Sequence, residues 1–135
     1  MIVIACVDDN MGMAFNHRRQ SRDAILCRDV LSLAPDTPLW MHPYSASLFP
    51  DAPKTSIADA DYLTKAGADD LCFVEREDVS PYAAAIHTVI LYRWNRHYPA
   101  DTYFALDWKN YRKIETVSLE GKSHPEITRE IWKHR

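Results

Sequence analysis

The 135-residue sequence has no long hydrophobic run and contains only three glycines and three cysteines. No apolar stretch approaches the roughly 20 residues that a membrane-crossing helix requires. The apolar run at the N-terminus has no basic leader and meets a carboxylate at once, so we expect no signal peptide and a cytoplasmic location. The cysteines are widely spaced among apolar neighbours and form no Cys-x-x-Cys pair, which is typical of reduced core residues: Cys6, Cys27 and Cys72.

An excess of positive charge is also absent, because 19 Asp and Glu residues outnumber 16 Lys and Arg residues and the net charge is −3. General nucleic-acid binders usually carry a basic field, so an RNA partner is not favoured. The histidines are isolated, with no pair at the spacing of metal ligands, and no metal site is expected. With 47% hydrophobic and 26% charged residues the chain is typical of a globular protein, and residues 1–135 are expected to form a single domain.

Apolar patterning predicts strands that alternate with helices. The segment Ile2–Val7 is apolar at consecutive positions, which is typical of a strand buried on both faces. Ser21 is predicted to cap a helix that ends before Pro35. Further strands are predicted at Leu39–Met41, Leu71–Glu75 and Thr88–Trp94, short helices at Ser45–Phe49 and Ser80–Ile86, a loop with a helical turn at residues 50–69, and an antiparallel pair at Arg112–Ser118 and Glu126–Trp132. This order predicts an α/β fold with a mixed sheet, flanking helices and a C-terminal β-hairpin.

The segment after the first strand holds a dense cluster of polar side chains. In open α/β sheets, the crevice beyond the end of a buried strand is the usual ligand site. Arginine adds planar, bidentate donors that suit phosphate or carboxylate. The candidate ligand-binding residues of this cluster are Asp8, Asp9, Asn16, His17, Arg18, Arg19, Arg22 and Asp23. The structural alternative is a solvated loop in which the arginines pair with the aspartates and Asn16–His17 forms a turn.

A second cluster follows the strand at Thr88–Trp94. Val89 and Leu91 are expected on one face of that strand, and Tyr92 and Trp94 on the other. Basic and aromatic side chains mixed in this way can stack on a base or a flat ligand, although core packing is the more common reason. The candidate binding residues here are Arg93, Asn95 and Arg96. Ser123 beside His124 suggests a nucleophile and a base, but the sequence places no acid that would orient the histidine.

Several segments resemble the dihydrofolate reductase family. IVIACVDDNMGM is similar to that family's first strand and the loop that closes over the substrate, TPLWMHPYSASLF to the next strand and helix start, and DTYFALDWKNYRKIETV with EITREIWKHR to the last strands. The resemblance implies a truncated dihydrofolate-reductase-like mixed sheet. It also implies that Gly12 belongs to the closing loop and that Asp23 matches the family's pterin-binding carboxylate.

The same resemblance implies that the usual cofactor is missing. The family places a Gly-Gly pair where the backbone approaches the cofactor pyrophosphate, and this sequence has CFVEREDVSPY at the matching stretch. Glu75, Glu77 and Asp78 would put bulk and negative charge against a phosphate, whereas close backbone approach requires glycine. NADPH is therefore not expected to bind, and no other cofactor is predicted.

A second resemblance covers nearly the whole chain. The motifs CVDDNxGMxFNxRRQSRD, LWMxxYSAxxF, CFVE, LYRWNRxYPAD and SHPEITREIW are similar to a family of short bacterial proteins, of Firmicutes type, often catalogued as ribonuclease Z. Genuine ribonuclease Z has a metallo-β-lactamase fold and a His-x-His-x-Asp-His zinc motif, which is absent here.

Three functional hypotheses follow. The first is a reductase-like scaffold that binds a small anionic or planar ligand beside the first strand. The second is a metal-independent RNA-processing nuclease that uses His17 or His97 as acid and base. The third is an immunity or interaction module without catalysis. The sequence predicts neither an oligomeric state nor whether the protein is an enzyme.

Overall fold

A computed structural model of the chain describes residues 1–135 and shows strands interrupted by short helices. The strands are β1 (Ile2–Val7), β2 (Gly12–Phe15), β3 (Arg18–Arg19), β4 (Leu39–Met41), β5 (Ser56–Ala58), β6 (Leu71–Val74), β7 (Thr88–Arg93), β8 (Thr102–Tyr103), β9 (Tyr111–Leu119) and β10 (Ile127–His134). The helices are α1 (Ala24–Ser32) and α2 (Tyr62–Lys65), with 3-10 turns at Pro43–Leu48, Ser80–Ala85 and Trp108–Asn110. Neither α1 nor α2 has the length and apolar character needed to traverse a bilayer.

The main sheet has seven strands in the order β5-β4-β6-β1-β7-β10-β9. The first five of these run parallel, and β10 and β9 are antiparallel to their neighbours. Because β6 and β7 pair with β1 on either side, the apolar run of β1 lies at the centre of the sheet. The predicted mixed sheet and C-terminal hairpin are confirmed.

The two faces of the sheet are covered separately, which explains the alternation within β7. Val89 and Leu91 pack into one core cluster, together with alternate residues of β1. Tyr92 and Trp94 pack into the other, which also contains Leu26 of α1. The predicted distribution of side chains on this strand is confirmed.

The start of α1 differs from the prediction. The N-cap is Asp23 rather than Ser21: its Oδ1 accepts hydrogen bonds from the backbone N–H groups of Ile25 at 2.9 Å and Leu26 at 3.3 Å. Asp and Ser are both good N-caps, so local propensity does not decide between them. The helix begins after Asp23 because, as described below, that carboxylate also binds the β9–β10 turn.

Several elements were missed by the sequence patterns. The loop at residues 50–69 contains β5 as well as the helical turn α2. Glu75 follows β6 instead of ending it. A second, three-stranded sheet in the order β3-β2-β8 forms from the segment after β1 and the distant strand Thr102–Tyr103. Its two-residue turn, Asn16–His17, has φ values of 52° and 62°, so the turn interpretation of these residues is confirmed.

Candidate functional site

The candidate site lies where the parallel strands end. Parallel strands bring their carboxyl ends to one edge of a sheet, and ligand sites of open α/β sheets lie in the crevice beyond that edge. Asp8 follows β1, Glu75 follows β6 and Trp94 follows β7, and these three strands are neighbours. All three side chains are buried. The crevice is closed on one side by the start of α1 and on another by the β9–β10 turn.

Asp8 cross-links the loops above β1. Its Oδ1 accepts hydrogen bonds from the backbone N–H groups of Gly12 at 2.8 Å and Asn10 at 2.9 Å, and its Oδ2 accepts from Tyr98 N–H at 3.1 Å. Burial alone would raise the pKa of Asp8, but these backbone N–H groups lower it below its usual value. A Cβ on Gly12 would lie 2.5 Å from the Cβ of Ala100, so glycine is required by close packing. Asp8 and Gly12 therefore stabilise the loops that surround the site.

Arg19 and Glu75 form a partly buried ion pair at the end of β6. Arg19 Nε donates to Glu75 Oε2 at 2.8 Å and Nη2 donates to Oε1 at 3.0 Å, while Ser45 Oγ donates to the same Oε1 at 2.7 Å. Burial by itself would lower the pKa of Arg19, but the Glu75 carboxylate outweighs it and raises that pKa above its usual value. The two side chains are therefore held in a fixed bidentate geometry.

Asp23 is fully enclosed by donors from the far end of the chain. Its Oδ2 accepts from the backbone N–H groups of Ser123 at 2.7 Å and His124 at 3.1 Å and from the Ser123 hydroxyl at 3.0 Å, while Oδ1 also accepts from Lys122 N–H at 3.1 Å. Burial alone would raise the pKa of Asp23, but these hydrogen bonds hold it well below its usual range. Asp23 is therefore an ionised carboxylate at every pH near neutrality.

The inner part of the crevice is nearly filled. The cavity lined by Arg19, Asp23, Glu75 and Trp94 leaves about 20 Å³ in which the centre of a water molecule can lie. That volume holds about one water molecule, since roughly 10–15 Å³ on this measure accommodates one. A planar ring does not fit into this inner cavity. Any planar ligand would therefore bind outside the inner cavity, in the wider space that Asp23 also borders.

Two wider grooves open on either side of Arg22. The first, of about 610 Å³, lies between the start of α1 and the segment 47–50 and is bordered by Lys122. The second, of about 520 Å³, is bordered by Arg96, Tyr98 and His124. The side chains of Arg22, Arg96 and Lys122 are exposed and form no ion pair. The protein therefore presents free cations beside two grooves of the size that small ligands occupy.

Only some of the predicted site residues lie beside the cavity and the grooves. Arg19, Arg22, Asp23 and Arg96 border the inner cavity or the second groove. The other predicted residues do not line the inner cavity or the two wider grooves, and several of them form hydrogen bonds or ion pairs with residues outside the site. Asp9 is exposed, Asn16 and Arg18 line a smaller groove, the backbone oxygen of His17 accepts from Arg76, Arg93 pairs with Glu130 at 3.0 Å, and Asn95 donates to Thr128 Oγ1 at 2.9 Å.

Sequence reasoning missed the part of the site that the β9–β10 turn contributes. Lys122, Ser123 and His124 reach the start of α1, about one hundred residues away along the chain. The Ser-His pair was recognised in the sequence, but its acidic neighbour is Asp23, which no local spacing indicates. No group of three or more His, Cys, Asp or Glu side chains is placed so that it could hold a metal ion.

Comparisons with known proteins identify the fold. No family model matches the sequence, and no curated protein matches it significantly. Among solved structures, the chain is similar to a dihydrofolate reductase from Enterococcus faecalis, complexed with NADP(H) and RAB-propyl, with a TM-score of 0.65 and 10% sequence identity over 99% of this chain and 95% of that chain. The fold is dihydrofolate-reductase-like. This confirms the predicted fold class, while the ribonuclease Z name and a Firmicutes origin receive no support.

The dihydrofolate-reductase-like fold implies a nicotinamide cofactor, and the residues present do not fit one. The Glu75 carboxylate lies at the end of β6, where the sequence resemblance places the glycine pair that the pyrophosphate approaches. It is paired with Arg19 and accepts a further hydrogen bond from Ser45. A buried carboxylate at this position would repel a pyrophosphate, and its bulk prevents close approach to the backbone.

Proposed function

We propose that the protein binds a small organic anion at the two grooves beside Arg22, without nicotinamide chemistry. The observation that carries this proposal is the set of free cations around those grooves. Arg22 borders both grooves, Lys122 the first and Arg96 the second. The nearby Asp23 carboxylate accepts its hydrogen bonds from the β9–β10 turn and the start of α1, and it forms no ion pair with any of these three cations.

Charge and volume both favour an anion of modest size. The chain as a whole carries a net charge of −3, so a local excess of cations beside a concave surface is a specific feature and not a reflection of composition. Guanidinium groups bind carboxylate and phosphate in a bidentate manner. Grooves of about 610 and 520 Å³ accommodate a molecule the size of an aromatic acid or a mononucleotide.

The first prediction is that small anions bind and stabilise the protein. Isothermal titration and thermal unfolding would be measured with citrate, para-hydroxybenzoate, inorganic phosphate and adenosine monophosphate. We expect at least one to bind, and Arg22→Ala or Arg96→Ala to weaken binding roughly tenfold to a hundredfold, since a hydrogen bond to a charged group contributes about 1.5–3 kcal/mol.

The matched control is Arg28→Ala. Arg28 is an exposed arginine on α1 that borders neither groove, so its loss changes net charge equally and is expected to leave binding unchanged. The proposal is wrong if no anion binds, or if the Arg28 variant loses as much affinity as the Arg22 variant.

A further inference from the structure

His124 is the centre of a hydrogen-bond network that the anion site does not require. The ring is buried, with Nε2 at 3.2 Å from Ser21 Oγ and 2.9 Å from the Tyr98 hydroxyl. On its other side, Nδ1 lies 2.9 Å from Ser123 Oγ and 3.5 Å from Asp23 Oδ2. Trp94 stacks on the ring with centroids 4.5 Å apart, which fixes its orientation.

The neighbours of Ser123 determine which nitrogen of His124 carries the proton. The Ser123 hydroxyl lies 3.0 Å from Asp23 Oδ2 and 3.0 Å from the backbone oxygen of Arg22, and both of these atoms can only accept. We assign its single proton to the Asp23 carboxylate, because a charged oxygen is the strongest acceptor within reach, and the hydroxyl oxygen then accepts from Nδ1–H of His124. In the neutral ring this leaves a lone pair on Nε2, directed at the hydroxyls of Ser21 and Tyr98.

This arrangement matches the requirements of nucleophilic catalysis. A serine hydroxyl is activated when a neutral imidazole lies within hydrogen-bond distance and a buried carboxylate holds that imidazole in the correct tautomer. Ser21, His124 and Asp23 satisfy these conditions, with Ser123 relaying the contact between histidine and carboxylate. Ser21 is half-buried and borders both the inner cavity and the second groove, so its hydroxyl is accessible.

We propose that Ser21 is a nucleophile, activated by His124, for hydrolysis of carboxylic esters that carry a negatively charged group. The substrate class rests on the proposed anion site, because Arg22 and Arg96 border the same groove as Ser21 and would bind the charged group. Asp23 and Ser123 are positioning residues that act through His124.

The reaction is balanced without a redox partner. Ser21 Oγ attacks the carbonyl carbon while Nε2 of His124 takes its proton. The carbon–oxygen bond to the alcohol then breaks, and the imidazolium returns the proton to the leaving alkoxide. Water attacks the acyl-serine with its proton passing to Nε2, the bond to Ser21 breaks, and that proton restores the hydroxyl as the acid is released. The backbone N–H of Arg22, which follows the nucleophile and makes no hydrogen bond within the protein, can donate to the tetrahedral oxyanion.

The direct test is covalent labelling with a fluorophosphonate. A stoichiometric mass increase on the intact protein, mapped to Ser21 by a non-tryptic digest, is the expected result. Ser21→Ala and His124→Gln should abolish the label, whereas Ser32→Ala, which removes a serine at the far end of α1, should not. No label, or a label on Tyr98 or Ser123, would overturn the proposal.

Turnover tests the substrate class. The kcat/KM for cleavage of the acetyl ester should be higher for para-acetoxybenzoate than for methyl para-acetoxybenzoate, which has no negative charge. Ser21→Ala should lower kcat by roughly 10²–10⁴-fold. Ser123→Ala should lower kcat and leave KM unchanged, and Ser123→Thr should restore kcat. A merely structural role of the hydroxyl would not change kcat alone. Equal rates for the two esters would contradict the assigned substrate class.

The proposed anion site and the proposed nucleophile can be tested independently. Binding of para-hydroxybenzoate to Ser21→Ala measures the anion site without the nucleophile. If this variant binds and the wild-type protein neither labels nor turns over, the nucleophile proposal is wrong and the anion site stands. If nothing binds and nothing labels, both are wrong. Circular dichroism of the His124→Gln variant shows whether it has lost its fold or only its base. If the His124→Gln variant is unfolded, the Ser21→Ala variant alone tests the nucleophile proposal.

Discussion

At the scale of single residues, Asp23 performs two structural tasks with one carboxylate. It caps α1 through Oδ1 and anchors the β9–β10 turn chiefly through Oδ2. A buried carboxylate is stable only when its lone pairs are used, and here backbone N–H groups from two distant segments use them. The consequence is that the ionised form belongs to the folded state.

The second prediction concerns acid stability. Because folding lowers the pKa of Asp23, its contribution is fully present above the ordinary pKa of about 3.8 and is lost as the pH falls through the folded value. We expect the free energy of unfolding to decline between about pH 5 and pH 2, where the unfolded chain binds more protons. Urea unfolding at several pH values measures this.

Asp23→Asn isolates the residue's share of that decline. This variant should be less stable at neutral pH by about 3 kcal/mol, because its amide NH₂ group cannot accept the hydrogen bonds that one carboxylate oxygen accepts, and a hydrogen bond to a charged group contributes about 1.5–3 kcal/mol. Its stability should also depend less steeply on acid pH. Asp36→Asn, at an exposed position after α1, is the control that should match the wild type. A variant with the wild-type slope would show that other carboxylates cause the acid sensitivity.

At the scale of elements, the Arg19–Glu75 pair joins β3 of the small sheet to β6 of the main sheet. Two guanidinium groups lie over the Tyr44 ring, with the Arg19 group 4.4 Å and the Arg76 group 3.9 Å from the ring centroid. The Tyr44 hydroxyl also accepts from the backbone N–H of Arg19 at 3.0 Å. These contacts hold the segment after β1 over the end of the parallel strands and fill the inner crevice.

The third prediction is that removing one partner of this pair lowers the free energy of unfolding strongly, whereas replacing both partners by apolar residues lowers it little. Arg19→Met leaves the Glu75 carboxylate buried without its partner, and we expect a loss of about 3–5 kcal/mol in the free energy of unfolding. The double variant Arg19→Met/Glu75→Leu should recover most of that loss, because no uncompensated charge remains. Urea unfolding of a double-mutant cycle measures the coupling.

Arg18→Met supplies the comparison within the same strand. Arg18 is exposed and forms no ion pair, so its replacement should change stability by less than about 0.5 kcal/mol. Additive effects of the Arg19 and Glu75 substitutions would mean that the pair is not an energetic unit.

At the scale of the whole molecule, stability is concentrated in the centre of the main sheet. Four of the six residues of β1 and five of the six of β7 are buried, and none is exposed, whereas most residues of the edge strand β9 are exposed. Parallel strands flanked on both sides by neighbours can open only when the sheet itself unfolds.

The fourth prediction follows from that distribution. Hydrogen exchange measured by mass spectrometry should be slowest in β1, β6 and β7, and faster in β5, which lies at one edge of the sheet. The β9–β10 turn should exchange more slowly than its surface position suggests. Its backbone N–H groups at Lys122, Ser123 and His124 are bonded to Asp23, and Asp23→Asn should accelerate them selectively. Uniform acceleration across the sheet would contradict this local role.

The amino-acid sequence by itself determined the central strands and the fold class. Hydrophobic patterning is a local property, so Ile2–Val7, Leu39–Met41 and Thr88–Arg93 form strands where their own residues predict them. The terminal hairpin was predictable for the same reason. The two-residue strand β3 carries too short a pattern to be recognised in this way.

Only the tertiary structure decided what the charged residues do. Asp23 was predicted as a ligand-binding residue, and its partners lie about one hundred positions away at Ser123 and His124. Glu75 was expected only to keep a cofactor phosphate away, and it binds Arg19, 56 residues earlier. Such pairings depend on which strand ends meet at the edge of the sheet, and no periodicity within a segment encodes them. The proposed nucleophile, base and carboxylate therefore come together only when the last hairpin docks against the first helix.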